Sequence, residues 1–158
     1  IFVLIVLMLI GGGTCSTAGG IKQFRIYLLW RLFVWEIKRL LSPDAAVMEC
    51  PVWEGDRKSF VDDARVRQVC AFIFMYLTTY ILGTLVLCIC GYTLKESLFE
   101  FASALGTVGT SVGVTSAEMP NLGLWAETLG MFLGRLEFMV IFISLIKIGR
   151  DVKFLISP

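Results

Sequence analysis

Residues 69–93 contain no charged side chain. As an α-helix rising ~1.5 Å per residue, such a run outreaches a hydrocarbon core about 30 Å thick. The rest of the sequence agrees. Of its 158 residues 57% are hydrophobic and 17% charged, against roughly 45–50% and about 25% in an average soluble domain. The chain is therefore expected to be a membrane protein, with the lipid bilayer as its first partner. The absence of histidine removes a His general base, a His metal ligand and a Ser-His-Asp triad. The formal net charge of +1 makes no case for nucleic acid, so the basic residues have to be read by position.

Residues 1–10 are wholly apolar and lack a basic leading segment, which is unlike a signal peptide. Ten residues reach only ~15 Å as a helix, half a span, so the sequence is expected to begin inside a transmembrane helix. Cys15, Cys50, Cys70, Cys88 and Cys90 are odd in number and form no Cys-x-x-Cys pair. Zinc sites need close pairs or partner histidines. All of the thiols but Cys50 read as filler of apolar helices, and no bound cofactor or structural metal is expected.

The apolar start runs into Gly11, Gly12, Gly13, Thr14, Cys15, Ser16, Thr17, Ala18, Gly19 and Gly20. Glycine costs about 1 kcal/mol relative to alanine within a helix, so the helix should break here. Three readings stand open: a small-residue packing surface, a loop outside the membrane, or a mobile intramembrane loop facing a pore. Beyond Gly20 the text becomes amphipathic and basic, with Lys22, Arg25, Arg31, Lys38 and Arg39 among Phe24, Leu28, Trp30 and Phe33. It reads as a helix leaving the bilayer with snorkelling side chains, stopped by Ser42-Pro43-Asp44. A hairpin or ordered loop around Gly55-Asp56 follows.

Lysine and arginine fall nine times in residues 22–67, once in residues 91–124 and three times after Ile146. The positive-inside rule then puts residues 22–67 and the C-terminus in the cytoplasm and residues 91–124 outside. Three crossings follow: residues 1–41, 68–90 and 124–148.

The outer connection is more than a loop. Thr93 with Glu96 three residues on is a capping box, and residues 94–105 continue as an apolar helix too short to span. Residues 106–113 then carry Gly, Thr, Ser and Val without a charge. A short helix entering from outside aims the negative end of its dipole at the bilayer centre. The chain returning outward can line a passage with carbonyl oxygens, which substitute for a cation's water shell.

Span, short helix, Thr-Val-Gly strand, span: this order resembles the Trk/Ktr/HKT superfamily of potassium transporters. Residues 103–109 (Ser-Ala-Leu-Gly-Thr-Val-Gly) look like its fourth pore loop, and residues 130–137 like the inner helix that follows. Residues 11–22 look like the broken inner helix of the third unit, and residues 39–43 like the linker after it. The resemblance implies an all-α membrane protein: the end of unit three (1–41), a cytoplasmic linker (42–67), unit four (68–150, with span 68–90, pore helix 94–105, filter 106–113 and span 124–148) and a cytoplasmic tail (151–158). It implies K+ as the transported ion, coordinated at Thr107, Val108, Gly109, Thr110 and Ser111. It further implies a homodimer in the cell membrane, regulated by a cytoplasmic nucleotide-binding ring, with the other filter segments outside this sequence.

Arg135 lies within the last span, where a charge costs at least ~2.5–3.5 kcal/mol on insertion scales. It either pairs with Glu127 or Glu137 as structural glue or, as the resemblance implies, projects beneath the filter as a brake on cations. By the same resemblance Gly11, Gly12, Gly13, Thr14, Ser16, Thr17, Gly19 and Gly20 form an occluding loop. Gly130-x-x-x-Gly134 should allow close contact with the pore helix. Glu96, Glu100 and Glu118 outnumber Lys95 in the outer connection and are expected to draw cations to the mouth. Two rivals remain: a membrane-embedded enzyme, for which only Glu127, Arg135 and Glu137 are available, and a non-conducting regulatory or structural subunit of a transport complex.

Overall fold

The computed structural model describes residues 1–13, 16–42, 51–54, 57–60, 62–116, 118–136 and 138–156. Helix α1 (Phe2–Ile10) ends where the glycines begin, and α2 (Gln23–Leu40) resumes beyond them. Two short strands, β1 (Pro51–Glu54) and β2 (Arg57–Phe60), pair antiparallel with Val52 opposite Ser59. Then come α3 (Asp63–Ile89), α4 (Leu94–Leu105), α5 (Asn121–Leu136) and α6 (Phe138–Ile156). Among the described residues α3 is the one helix that is long and apolar enough to cross a membrane by itself; its 27 residues extend about 40 Å at 1.5 Å each.

The core is built around α4. Its Phe101 is buried between two glycines on different helices. A Cβ added at Gly83 of α3 would stand 1.9 Å from the Phe101 ring, and one at Gly130 of α5 would stand 3.1 Å from it. The small residues let α3 and α5 close on the short helix from both sides, the packing that apolar solvent leaves available. Tyr80 of α3 donates its hydroxyl to the Leu98 carbonyl of α4 at 3.0 Å, so the polar tip of a buried ring is satisfied. Side chains such as Phe74, Ile81 and Leu85 on the outer face of α3 are exposed, as expected of a surface meeting lipid or further helices.

A second, smaller core joins the hairpin to the helices: Leu28 of α2, Val52 of β1 and Val69 of α3 pack together. Arg31 donates to the Pro51 carbonyl at 2.8 Å, tying the strand to the basic helix.

Residues 124–148, expected as a single span, are a bent pair. The axes of Asn121–Leu136 and Val140–Lys153 differ by 98°; Glu137, between them, lies outside the described residues. Two anchors take the chain in two directions. Gly130 and Gly134 hold α5 flush on α4, whereas Phe138, opening α6, sits edge-on against Phe72 and Tyr76 of α3, with ring centroids 5.8 and 5.9 Å away.

Candidate functional site

Helix α4 begins at its capping box. Thr93 donates its backbone N–H to Glu96 Oε2 at 3.1 Å and its hydroxyl to the same oxygen at 2.6 Å. The helix ends at Gly106, and the chain turns back at once: Thr107 has φ 52°, Gly109 80° and Gly113 97°. A left-handed conformation costs an L-residue roughly 1–2 kcal/mol, so Gly109 suits a loop in which successive carbonyls change direction. A Cβ at Gly109 would meet nothing within 4 Å; its requirement is conformational rather than steric. Val108 donates its N–H to the Ser103 carbonyl at 3.0 Å, and the Ser103 and Thr110 hydroxyls lie 3.4 Å apart.

The rest of the loop hangs on a residue to which the sequence pointed for a different reason. Glu100 is only 2% exposed. It accepts from the Ser111 hydroxyl, from the Val112 N–H at 3.1 Å, and from both the N–H, at 3.1 Å, and the hydroxyl of Thr115. Glu127 of α5, 3% exposed, reaches the same Thr115 hydroxyl, with its two oxygens at 3.1 and 3.3 Å. Glu100 is therefore buried and engaged by the loop rather than open at an acidic mouth, a correction to its expected role; Glu118 is exposed and Glu96 is occupied by its cap. One signal for Glu100 was available: a carboxylate in the middle of a short apolar helix, which is expensive unless it is paired or hydrogen-bonded.

The glycine-rich segment lies against the other end of α4. Its chain leaves the helix at Gly11 and returns so that Ile21 and Lys22 donate N–H groups to the Leu9 and Ile10 carbonyls at 2.9 and 2.8 Å. These are carbonyls that the end of α1 would otherwise leave unpaired. Gly11, with φ 72°, and Gly20, with φ 96°, touch backbone to backbone. Ser16 Oγ accepts from the Ala18 N–H at 3.1 Å. Gly19 packs on the Leu105 carbonyl and on Gly106, and donates its N–H to Thr107 Oγ1 at 2.9 Å. Gly12 and Gly13 belong to the same segment; Thr14 and Cys15 lie outside the described residues.

Arg135 closes the arrangement. Its Nη1 donates to the Thr17 carbonyl, joining α5 to a segment 118 residues earlier. Of the two carboxylates considered as its partners, Glu127 is engaged by Thr115 and Glu137 lies outside the described residues. Gly134, next to Arg135, is where α5 presses hardest on α4: an added Cβ would be 2.0 Å from the Leu105 carbonyl. The residues singled out as filter and those singled out as gate thus meet at the C-terminal end of α4, through Thr107 with Gly19 and through Arg135 with Thr17. Among the described residues no cluster of His, Cys, Asp or Glu could hold a metal ion, and Cys70, Cys88 and Cys90 are free thiols.

A short capped helix and its returning loop, enclosed between longer apolar helices, define a re-entrant unit of a membrane transport protein. The chain belongs to the TrkH family of cation transport proteins, whose model matches residues 1–153. It is 30% identical over 143 residues to an uncharacterized cation transporter of Methanocaldococcus jannaschii, covering 90% of this chain and 29% of that one. It is 33% identical over 130 residues to the Trk system potassium uptake protein TrkG of Escherichia coli, covering 80% and 26%. The crystal structure of the potassium transporter TrkH from Vibrio parahaemolyticus superposes with a TM-score of 0.74 at 27% identity, over 91% of this chain and 30% of that one. The chain thus spans less than a third of the length of these relatives.

Proposed function

We propose that the complete protein carries potassium across the cell membrane, along a path lined in this chain by the carbonyls of Thr107, Val108, Gly109, Thr110 and Ser111. The glycine-rich segment of residues 11–20 and Arg135 form its gate. The reading is supported by relatives named as a potassium uptake protein and a potassium transporter. The observation that carries it is the junction at the end of α4, where Gly19 bonds to Thr107 and Arg135 to Thr17. A cation leaving the loop toward that end meets a partly negative helix terminus, then a fixed guanidinium and a backbone segment that blocks the way. The charge bias puts the basic α2, the hairpin and the C-terminus in the cytoplasm. Partners follow from the resemblance: a second copy of the protein, and a cytoplasmic nucleotide-binding ring acting on the gate through α2.

The test is Gly109→Ala in the complete protein, expressed in cells lacking their own potassium uptake. Forcing a side chain into positive φ costs about 1–2 kcal/mol, so potassium-over-sodium preference should fall about tenfold at equal protein in the membrane. Unchanged uptake kinetics and preference would remove the filter from residues 107–111. A complete protein that passes no cation under any condition would instead favour a non-conducting subunit.

A further inference from the structure

The filter reading says which carbonyls face the ion but not what holds them in place. We propose that Glu100 is the positioning residue of the filter loop, acting as an ionised carboxylate, and that Glu127 is its proton-bearing counterpart; the proposal rests on residues 107–111 being the filter.

The assignment comes from counting hydrogens. Backbone N–H groups can only donate, so the Val112 and Thr115 amides require acceptors at both Glu100 oxygens: Oε2 faces Val112, and Oε1 faces Thr115. Ser111 Oγ already accepts from the Gly113 N–H at 2.9 Å, and its own hydrogen points to Glu100 Oε1. The Thr115 hydroxyl has one hydrogen and two carboxyl neighbours. Glu100 Oε1 at 2.5 Å is much nearer than the Glu127 oxygens at 3.1 and 3.3 Å, so the hydrogen goes to Glu100. What remains on the Thr115 oxygen is lone pairs, and Glu127 can bond to them only as a donor, that is, as a neutral acid. One negative charge, met by four donors, thus anchors residues 111–115 to the middle of the pore helix. One turn further along α4, Ser103 holds Val108 and Thr110. The exit limb of the filter is set by the face of α4 that carries residues 100 and 103.

An amide treats the two glutamates differently. Glutamine at 100 has one acceptor where the loop demands two, so in either orientation a backbone N–H is left facing an NH2 group. Glutamine at 127 keeps a donor aimed at Thr115.

In the complete protein, Glu100→Gln should lower the sodium-over-potassium ratio of half-saturation constants, which measures potassium preference, about tenfold, and Glu100→Leu should do the same. Glu127→Gln should retain more of that ratio than Glu127→Leu. A purely space-filling role predicts the same ranking at both positions. If Glu100→Gln does not assemble, Ser111→Ala and Thr115→Val remove the donors and leave α4 intact, and they should lower the ratio in its place. A preserved ratio in Glu100→Gln, or in the donor variants where that protein is lost, overturns the brace, and equal behaviour of the two Glu127 variants overturns the proton assignment. Gly109→Ala measured alongside separates the two ideas: if it shifts the ratio and the Glu100 series does not, the brace fails alone; if neither does, the filter itself is misplaced.

Discussion

Two segments of this chain leave helical geometry beside α4, and they solve the same problem in different ways. Both must satisfy backbone groups that lipid cannot. Residues 110–115 are held by side chains: Glu100 and Ser103 reach out from α4 and take up hydroxyls and amides of the loop. Residues 11–22 are held mainly by their own backbone, through Ile21 to Leu9, Lys22 to Ile10 and the direct contact of Gly11 with Gly20. A loop braced by side chains has its carbonyl directions dictated from outside and suits discrimination between ions. A loop closed largely on itself, and tied by hydrogen bonds to Thr107 and Arg135, suits movement as a unit once these are released. On the proposed reading, the contrast assigns rigidity to the filter and mobility to the gate.

The largest expected effect comes from the surface both regions share. Gly134→Leu inserts a side chain where even a Cβ would lie 2.0 Å from the Leu105 carbonyl. Overpacking costs about 1–3 kcal/mol and more where backbone is the obstacle, so α5 should separate from the end of α4 and disturb both loops together. Assembled protein in detergent, followed by size-exclusion chromatography and thermal melting, should fall several-fold relative to the parent. A normal yield and melting temperature would mean that α5 and α4 do not pack as described.

Arg135→Ala divides the two regions. It removes the tie to Thr17 and a positive charge whose repulsion of a cation depends steeply on local dielectric. Cation flux per assembled molecule should rise, while the potassium-over-sodium preference stays close to the parental value. If preference collapses instead, the arginine serves the filter; if flux per molecule stays flat or drops, it serves packing.

Thr107→Val should act in the same direction and more weakly. It keeps the shape of the side chain but leaves the Gly19 N–H without its acceptor, a loss of about 1–3 kcal/mol for a buried donor. Thr107→Ser retains the hydroxyl and should restore parental flux. Indistinguishable valine and serine variants would break the proposed link between the loops.

How far the sequence revealed this arrangement depended on the range of the interactions. The start of α4 at Leu94 follows from a Thr and a Glu three residues apart, and the break after Ile10 follows from consecutive glycines; both are local effects of backbone entropy and capping. The uncharged run that forms most of α3 is legible because burial in lipid acts on composition alone. The role of Glu100 was not legible, because its partners come from a return loop whose path is set by three left-handed residues. Arg135 could be recognised as costly, but its acceptor lies 118 residues away in the chain, and no periodicity reports such a pairing. The bend between α5 and α6 escaped for a similar reason: it arises from anchors on two other helices, while the local text from Leu124 to Ile148 remains apolar enough for one span.

The smallest effect tests the filter side alone, through the cap of α4. Glu96 is partly exposed in the first turn of that helix, and the hydrogen bonds from the Thr93 hydroxyl and N–H hold its carboxyl below the ordinary glutamate range. A carboxyl whose folded pKa is depressed contributes stability above its unfolded pKa and loses it as pH falls through the folded value. The cap should therefore weaken on the acid side of the normal carboxylate range and be complete at neutral pH. Glutamine can take the same position in a capping box, so Glu96→Gln should melt close to the parent at pH 7 and lose less stability than the parent on acidification. Glu96→Ala should melt below both at neutral pH. Since the described residues of 11–22 lie against the other end of α4, any change in transport that accompanies acid loosening should appear in ion preference before it appears in gating. Parallel acid slopes for the parent and Glu96→Gln, from melts of purified protein between pH 7 and 4, would show that the carboxylate of Glu96 does not hold the helix.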